Sequence, residues 1–191
     1  QRIVRQFPTY RRIDGVLYLI GYCLNEMARP EEARDAWLAL VCANHFAYDP
    51  DQARYHAAAE GGAAEGEDDA AAHPSLGLGT AVVDVTTQVF VNPYAECTTI
   101  IPEARFVSET WFRIGEYHFD DYVDTFAVDK SIAAYNVILR DPEDRNYGLA
   151  LYKVAWAYYR ANRFEQAVRH FGMLVQWSDD QMAATGRAGS D

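Results

Sequence analysis

Histidines are the side chains of this chain best suited to acid–base or metal chemistry, and their positions argue against both. His118 falls on the apolar stripe of a helical segment, which favours a hydrogen-bonded core histidine over a catalytic base. No nucleophile elbow, phosphate-binding glycine loop or zinc-protease motif occurs in the sequence. The sequence therefore predicts no catalytic residue, no metal site and no cofactor. The other histidines are scattered, with no carboxylate or cysteine at ligand spacing: His45, His56, His73 and His170.

Aspartates are concentrated between two of the helical segments and raise the question of calcium. Their spacing lacks the central glycine and the closing bidentate glutamate of an EF-hand loop. We therefore predict a solvated acidic turn rather than an ion site. Its acidic residues are Asp120, Asp121, Asp124 and Asp129.

The cysteines are three in number, Cys23, Cys42 and Cys97, and none forms a CxxC pair. An odd count without such spacing is typical neither of a disulfide framework nor of a zinc knuckle. We predict buried free thiols. An approach of Cys23 to Cys42, which lie on the two helices of one predicted hairpin, stays open.

Composition limits the classes of partner. The chain has 191 residues, half of them hydrophobic, which is enough for a real core. Its 28 acidic against 17 basic residues give a net charge of −11, so nucleic acid and anionic membrane are unfavourable partners. No apolar run approaches the roughly 20 residues that span a bilayer. These features predict a protein or peptide partner and no direct membrane span.

An internal repeat organises the chain. Pro8, Pro102 and Pro142 each stand nine residues before a large apolar residue. That residue is followed at +3, +4 and +7 by an aliphatic, a small and a bulky residue, which is one stripe of a helix. The three stripes are Leu17, Ile20, Gly21 and Leu24; Trp111, Ile114, Gly115 and His118; and Leu151, Val154, Ala155 and Tyr158.

A second helix follows each stripe. The first begins at Pro30 with two acids in its first turn, which suits the helix dipole. In a short helix pair, neither helix can cover the whole apolar face of the other, so such pairs must stack on neighbouring pairs of the same kind. We therefore predict an all-α solenoid of about three units. The buried faces expected of the second helices are Ala33, Ala36, Trp37 and Leu40; Ser131, Tyr135 and Ile138; and Ala167, Phe171 and Leu174.

Domain bounds follow from where the repeat is interrupted. Residues 1–48 hold the first hairpin and a preceding tail, 102–178 the second and third hairpins, and 179–191 a C-terminal tail. Residues 49–101 form a long, partly irregular insertion. Within it, residues 57–72 contain only Ala, Gly, Glu and Asp and predict a solvated loop. Residues 81–91 are strand-like, and either a hairpin with residues 97–101 or an extended course along the solenoid stays open.

A row of aromatic residues is the candidate binding surface. The first helices of stacked pairs line the concave face, and nine of their positions flank the buried stripes by about one residue. Seven of the nine are aromatic, which is unusual for solvent-facing helix positions and typical of a protein-binding surface. Packing of the same rings in the interior is the alternative. The nine positions are Tyr18, Tyr22, Asn25, Phe112, Glu116, Phe119, Tyr152, Trp156 and Tyr159.

The stripes, together with Ala33 and Trp37, Tyr135, and Ala167 and Phe171, resemble the tetratricopeptide repeat. The resemblance covers residues 8–48 and 102–178, and it departs from the family pattern at His118 and Ala155. The nine-residue run after each proline makes the chain most similar to the bacterial periplasmic subgroup. That subgroup includes the BamD-type outer-membrane assembly lipoproteins and the Tol-Pal-associated coordinator proteins.

The resemblance implies a non-catalytic scaffold that binds a peptide or helix of a partner in its concave groove. The subgroup implies a periplasmic or outer-membrane-associated place in cell-envelope assembly, while a cytoplasmic location stays open. Two other functions remain: a structural segment that self-associates through exposed faces, and a regulatory appendage of a larger multidomain protein.

Overall fold

The computed structural model describes residues 6–7, 10–48 and 89–184 of the chain. All regular structure within these ranges is helical, and consecutive helices pair and stack as the repeat predicts. The fold is an all-α solenoid in which α2 packs on α3 and α4 packs on α5. The helices are α1 (Ile13–Glu26), α2 (Pro30–Val41), α3 (Val107–Asp120), α4 (Ala127–Ile138), α5 (Tyr147–Arg160) and α6 (Phe164–Ala184).

Close contact of a glycine with a ring determines how the first two hairpins close. A Cβ atom on Gly21 would lie 2.2 Å from Nε1 of Trp37, and one on Gly115 would lie 2.4 Å from Cε1 of Tyr135. The two rings are only 2% and 0% exposed, so they fill the space that the glycines leave. In these two hairpins glycine is therefore needed at the small position of the repeat, because a side chain there would push the two helices apart.

The predicted stripes form most of the core. Leu17, Ile114 and Leu151 are at most 1% exposed, which confirms the helical phase of all three first helices. Four predicted core residues are only half-buried, and all four lie in the first or the last hairpin. These hairpins have a neighbouring pair on one side only within the described ranges. The four are Ile20, Tyr158, Phe171 and Leu174.

The turns of the first and third hairpins share one geometry. Ala28 and Asn162 occupy the left-handed region, with φ of 57° and 58°. In both, the amide of the next residue donates to a helix carbonyl five residues earlier, at 3.0 and 2.9 Å. This pattern is the Schellman ending, which satisfies carbonyls that the helix leaves free.

The longer middle turn uses its acids locally. Asp121 accepts two backbone amides, at 2.8 and 3.2 Å. Asp124 pairs with Lys130, and that hydrogen bond holds the pKa of Asp124 below its usual value. Asp129 pairs with Arg163 at 2.8 Å. Over the described ranges, no group of histidine, cysteine or acidic side chains is arranged to hold a metal ion.

The prediction of buried free thiols is wrong. Cys42 and Cys97 form a disulfide across a sequence separation of 55 residues, and Cys23 is an exposed thiol. Cys23 therefore does not approach Cys42. The pairing depends on the position of residues 96–98 beside the end of α2, and helical periodicity carries no information about that position.

Hydrogen bonds reinforce this disulfide. The Ala43 amide donates to the Thr98 carbonyl at 2.9 Å. The Asn44 side chain bonds both sides of the returning segment: its Nδ2 donates to the Glu96 carbonyl at 2.8 Å, and its Oδ1 accepts the Thr98 amide at 2.9 Å. We refer to the disulfide with these bonds as the clasp. It fixes residues 96–98 beside the residues that follow α2.

Residues 97–101, the expected partner in a hairpin, form no strand. The loop prediction for residues 57–72 and the strand prediction for residues 81–88 lie outside the described residues, as does the tail beyond residue 184. By contacts the chain divides into one unit of residues 1–48 and 92–191 and another of residues 49–91. None of the helices in the described ranges is both long and apolar enough to cross a bilayer.

Candidate functional site

The structure places the nine candidate groove residues on α1, α3 and α5, three on each helix. Their spacing of three to four residues keeps each trio on one side of its helix. We call the seven aromatic members the aromatic row: Tyr18, Tyr22, Phe112, Phe119, Tyr152, Trp156 and Tyr159. The exposed members of the nine are Tyr22, Asn25, Tyr152, Trp156 and Tyr159, and the half-buried ones are Tyr18, Phe112, Glu116 and Phe119.

Four rings of the aromatic row are open to solvent. Tyr22 is 42% exposed, Tyr152 44%, Trp156 40% and Tyr159 53%. The sequence left open the alternative that these rings pack in the interior. For these four side chains that alternative does not hold. Large aromatic side chains exposed in register offer much contact area at low entropic cost, as protein-binding surfaces do.

Rings of the third hairpin order one another. Trp156 makes edge-to-face contacts with Tyr152, Tyr159 and Phe171, at centroid separations of 6.2, 5.5 and 5.8 Å. Tyr159 makes a further such contact with Phe164 at 5.5 Å. Edge-to-face pairs are favourable beyond the area they bury. These contacts restrict the orientations open to the exposed rings.

Glu116 is held by two cations of the protein itself. Its Oε2 accepts from Nη1 of Arg113 at 3.0 Å, and its Oε1 accepts from Nζ of Lys153 at 3.0 Å. Lys153 belongs to the next hairpin, so this bridge ties α3 to α5. The sequence marked Glu116 as a groove carboxylate, but the two cations that neutralise it were not foreseen.

Cations also lie against the rings of the aromatic row. The Lys153 ammonium is 5.7 Å from the centroid of Phe112 and 6.0 Å from that of Phe119. The Arg160 guanidinium is 5.2 Å from Phe119 and 4.1 Å from the ring of Tyr122. Such cation–π contacts are attractive and keep the cations close to the aromatic row. The surface therefore combines rings with fixed positive charge.

A cavity of about 670 Å³ lies between the first and second hairpins, and Asn25 and Glu116 contribute to its wall. Across it, Nη1 of Arg34 donates to the Tyr117 hydroxyl at 3.1 Å. Sequence reasoning did not single out Arg34 or Tyr117, because they come together only when α3 stacks on α2. The charged residues of the wall are mostly acidic: Glu31, Glu116, Asp120, Asp121 and Asp124, against Arg34 and Arg113.

His118 is a core histidine, as its stripe position predicts. It is 4% exposed, and its Nε2 lies 2.6 Å from the hydroxyl of Tyr94. Burial, reinforced by the charges of Lys130 and Arg34, lowers the pKa of His118 to about 4, so the ring is neutral at pH 7. Its Nδ1 has no hydrogen-bond partner in the described ranges, so no carboxylate orients it as a base.

Tyr94 joins the returning end of the insertion to the core. It is 4% exposed and makes an edge-to-face contact with Trp111 at 5.2 Å, in addition to its bond with His118. Together with the clasp, these contacts attach the segment after residue 92 to α2 and α3. The Nε2 atom of His118 therefore has a structural role, as the hydrogen-bond partner of the Tyr94 hydroxyl.

Comparison with known protein families gives a match in the last hairpin. Residues 149–176, which lie on α5 and α6, match the tetratricopeptide repeat, so the match supports a tetratricopeptide-repeat protein. This repeat is generally found in non-catalytic scaffolds that bind other proteins. No curated protein and no solved structure matches the chain.

Proposed function

We propose that the protein is a non-catalytic interaction module that binds a peptide or helix of a partner protein along the aromatic row. The observation that carries the proposal is the exposure of Tyr22, Tyr152, Trp156 and Tyr159, which is 40% or more for each ring. These positions recur on the first helices of the first and third hairpins. A few residues carry most of the binding energy of a protein interface, and Trp and Tyr are over-represented among them.

Charge and shape indicate the kind of segment that would bind. The rings favour a partner with two or more apolar or aromatic anchors. The cavity beside Glu31 and Asp120 has an excess of carboxylates, and the chain carries a net charge of −11. Both features favour a basic residue in the part of the segment that lies against the cavity, since opposite charge speeds encounter and fixes register.

The experiment is a selection of peptides from a displayed random library, followed by titration of the selected peptides. The variants are Tyr22→Ala and Trp156→Ala, and the matched control is Asn136→Ala, because Asn136 is exposed on α4. We expect each aromatic variant to raise Kd by about tenfold or more, since truncation of a hot-spot residue costs about 2 kcal/mol or more. Peptides that bind the wild type and both aromatic variants equally would overturn the proposal.

We further propose that the protein works in an oxidising compartment, and that this compartment is the bacterial cell envelope. The disulfide between Cys42 and Cys97 supports the first step, because disulfides are rare in proteins of the cytosol. The likeness of the repeat to the periplasmic subgroup supports the second.

Thiol labelling in the native cells tests the compartment. A maleimide reagent added at lysis should modify one thiol, Cys23, and should modify all three cysteines only after reduction. Labelling of three thiols without reduction would refute an oxidising compartment.

A further inference from the structure

The outer face of the last helix has no neighbour in the described ranges, although its counterparts on the inner helices are covered. Val168 in α6 takes the repeat position of Ile132 in α4, and Val175 takes that of Val41 in α2. Ile132 is 6% exposed and Val41 1%, whereas Val168 is 71% exposed and Val175 61%. The inner faces are covered because the first helix of the next hairpin packs on them.

The outer face of the first helix is apolar and open as well. Leu19 is 59% exposed, Met27 is 61% exposed, and Cys23 is an exposed thiol. A shallow apolar cavity of about 400 Å³ lies along this face. The position of Cys23 corresponds to Ala157 in α5, which is 0% exposed. In α5 this face packs on the preceding hairpin.

We propose that copies of this protein associate head to tail, with α1 of one copy seated on α6 of the next. Within the chain, the same kind of contact is made twice, by α3 on α2 and by α5 on α4. Over the described ranges, α1 is the one first helix that does not pack on the second helix of a preceding hairpin. Likewise, α6 is the one second helix on which no first helix packs. Each end therefore presents the half of the contact that the other end needs, and a second copy is the occupant that supplies it.

Charges at the ends of the two helices agree with this pairing. A first helix runs antiparallel to the second helix beneath it, as the contact of Arg34 near the start of α2 with Tyr117 near the end of α3 shows. The start of α1, with Arg11 and Arg12, would then lie towards the end of α6, which carries Asp179 and Asp180. Opposite charges at this end favour the antiparallel register.

Joining unlike faces has a consequence for the size of the assembly. A head-to-tail contact leaves one free α1 and one free α6 on every assembly, so further copies add unless a ring closes. A symmetric dimer would instead use one face twice. The proposal does not rest on the aromatic row, so either can fail without the other.

Two variants, each with one face blocked, test the pairing. Leu19→Glu places a charge on α1, and Val168→Glu places one on α6. Both side chains are exposed, so folding is unaffected, and Val123→Glu on the 95% exposed Val123 is the matched control. Light scattering over a concentration series in about 0.15 M salt measures the masses, since that salt screens the net negative charge.

The wild type and Val123→Glu should grow in mass with concentration, and each of the two blocked variants alone should stay at one chain. An equal mixture of the blocked variants should form a pair of two chains, because one free α6 meets one free α1. A wild type that stays at one chain overturns the proposal. So does dimerisation of Leu19→Glu alone, or a mixture without pairs.

A cross-link tests the register. Val168 and Cys23 take the repeat positions of Arg34 and Tyr117, which are in contact in the chain. Val168→Cys treated with a short bismaleimide should therefore give a ladder of dimers and higher species through Cys23 of the next copy. Val123→Cys, treated alike, should not. Equal ladders from the two variants would overturn the register.

Discussion

Substitution of Gly115 by alanine tests how the hairpins close. The new Cβ atom would lie 2.4, 2.6 and 2.8 Å from three atoms of the Tyr135 ring, all of them well inside the usual carbon–carbon contact of about 3.5–4.0 Å. Tyr135 is 0% exposed, so its ring cannot swing into solvent. Overpacking of this kind costs about 1–3 kcal/mol, of which the better helix propensity of alanine recovers up to about 1 kcal/mol.

Gly172 provides the matched control. A Cβ atom there would meet nothing within 4 Å, so Gly172→Ala should gain up to about 1 kcal/mol from helix propensity alone. Thermal unfolding by circular dichroism at low protein concentration compares the two variants. At about 2–4 °C per kcal/mol for a chain of this size, Gly115→Ala should lower Tm by several degrees and Gly172→Ala should raise it. Equal shifts of the two variants would refute the glycine–ring account.

Three further predictions follow from the clasp, the buried histidine and the exposed rings. Replacing both Cys42 and Cys97 by alanine should lower the free energy of unfolding by about 2–4 kcal/mol, since the bond closes a 55-residue separation. In urea titrations, a reducing agent should destabilise the wild type but not this double variant. The pKa of His118 is about 4 in the folded protein, against an ordinary value of 6.5. As the pH falls, His118 is therefore protonated in the unfolded chain before it is protonated in the folded protein. Stability should therefore fall by up to roughly 3 kcal/mol as pH drops from about 6.5 to 4, and His118→Gln should flatten that fall in denaturation measured against pH. Tyr22→Ala and Trp156→Ala should leave Tm within a few degrees, and a large loss in both would show that the rings serve packing.

The helical part of the fold could be predicted because one local rule repeats. A large apolar residue with an aliphatic at +3 and a small residue at +4 specifies both a helix and the side on which it packs. Gly21 and Gly115 are examples. The spacing predicts that a neighbouring group comes close to each glycine, and in the structure these groups are the rings of Trp37 and Tyr135.

Features that depend on distant parts of the chain could not be predicted in this way. Cys97 pairs with Cys42 because residues 96–98 lie beside the end of α2, and no periodicity encodes that proximity. Glu116 was identified as a groove residue, but its partner Lys153 belongs to the next hairpin and comes near only when the hairpins stack. The same holds for Arg34 and Tyr117 beside the cavity.

The ends of the stack explain the core residues that were over-predicted. Ile20 and Phe171 follow the repeat pattern fully, yet they are only half-buried. The sequence pattern identifies the apolar face of a helix, whereas burial of that face also requires a neighbouring helix that packs against it. The mismatch at Ile20 marks the outer face of α1, where the self-association test applies, whereas Phe171 faces α5 and contacts Trp156.

The most direct test of the binding account is an NMR titration of the labelled protein with a peptide selected for binding. Trp156 is 40% exposed whereas Trp111 is 3% exposed, so their indole N–H signals report on the aromatic row and on the core separately. We predict that the Trp156 indole signal and the amides of α1, α3 and α5 shift with the peptide, while the Trp111 indole signal stays in place. Shifts that cluster on α2, α4 and α6, with the Trp156 signal unmoved, would contradict the proposal that the aromatic row is the binding site.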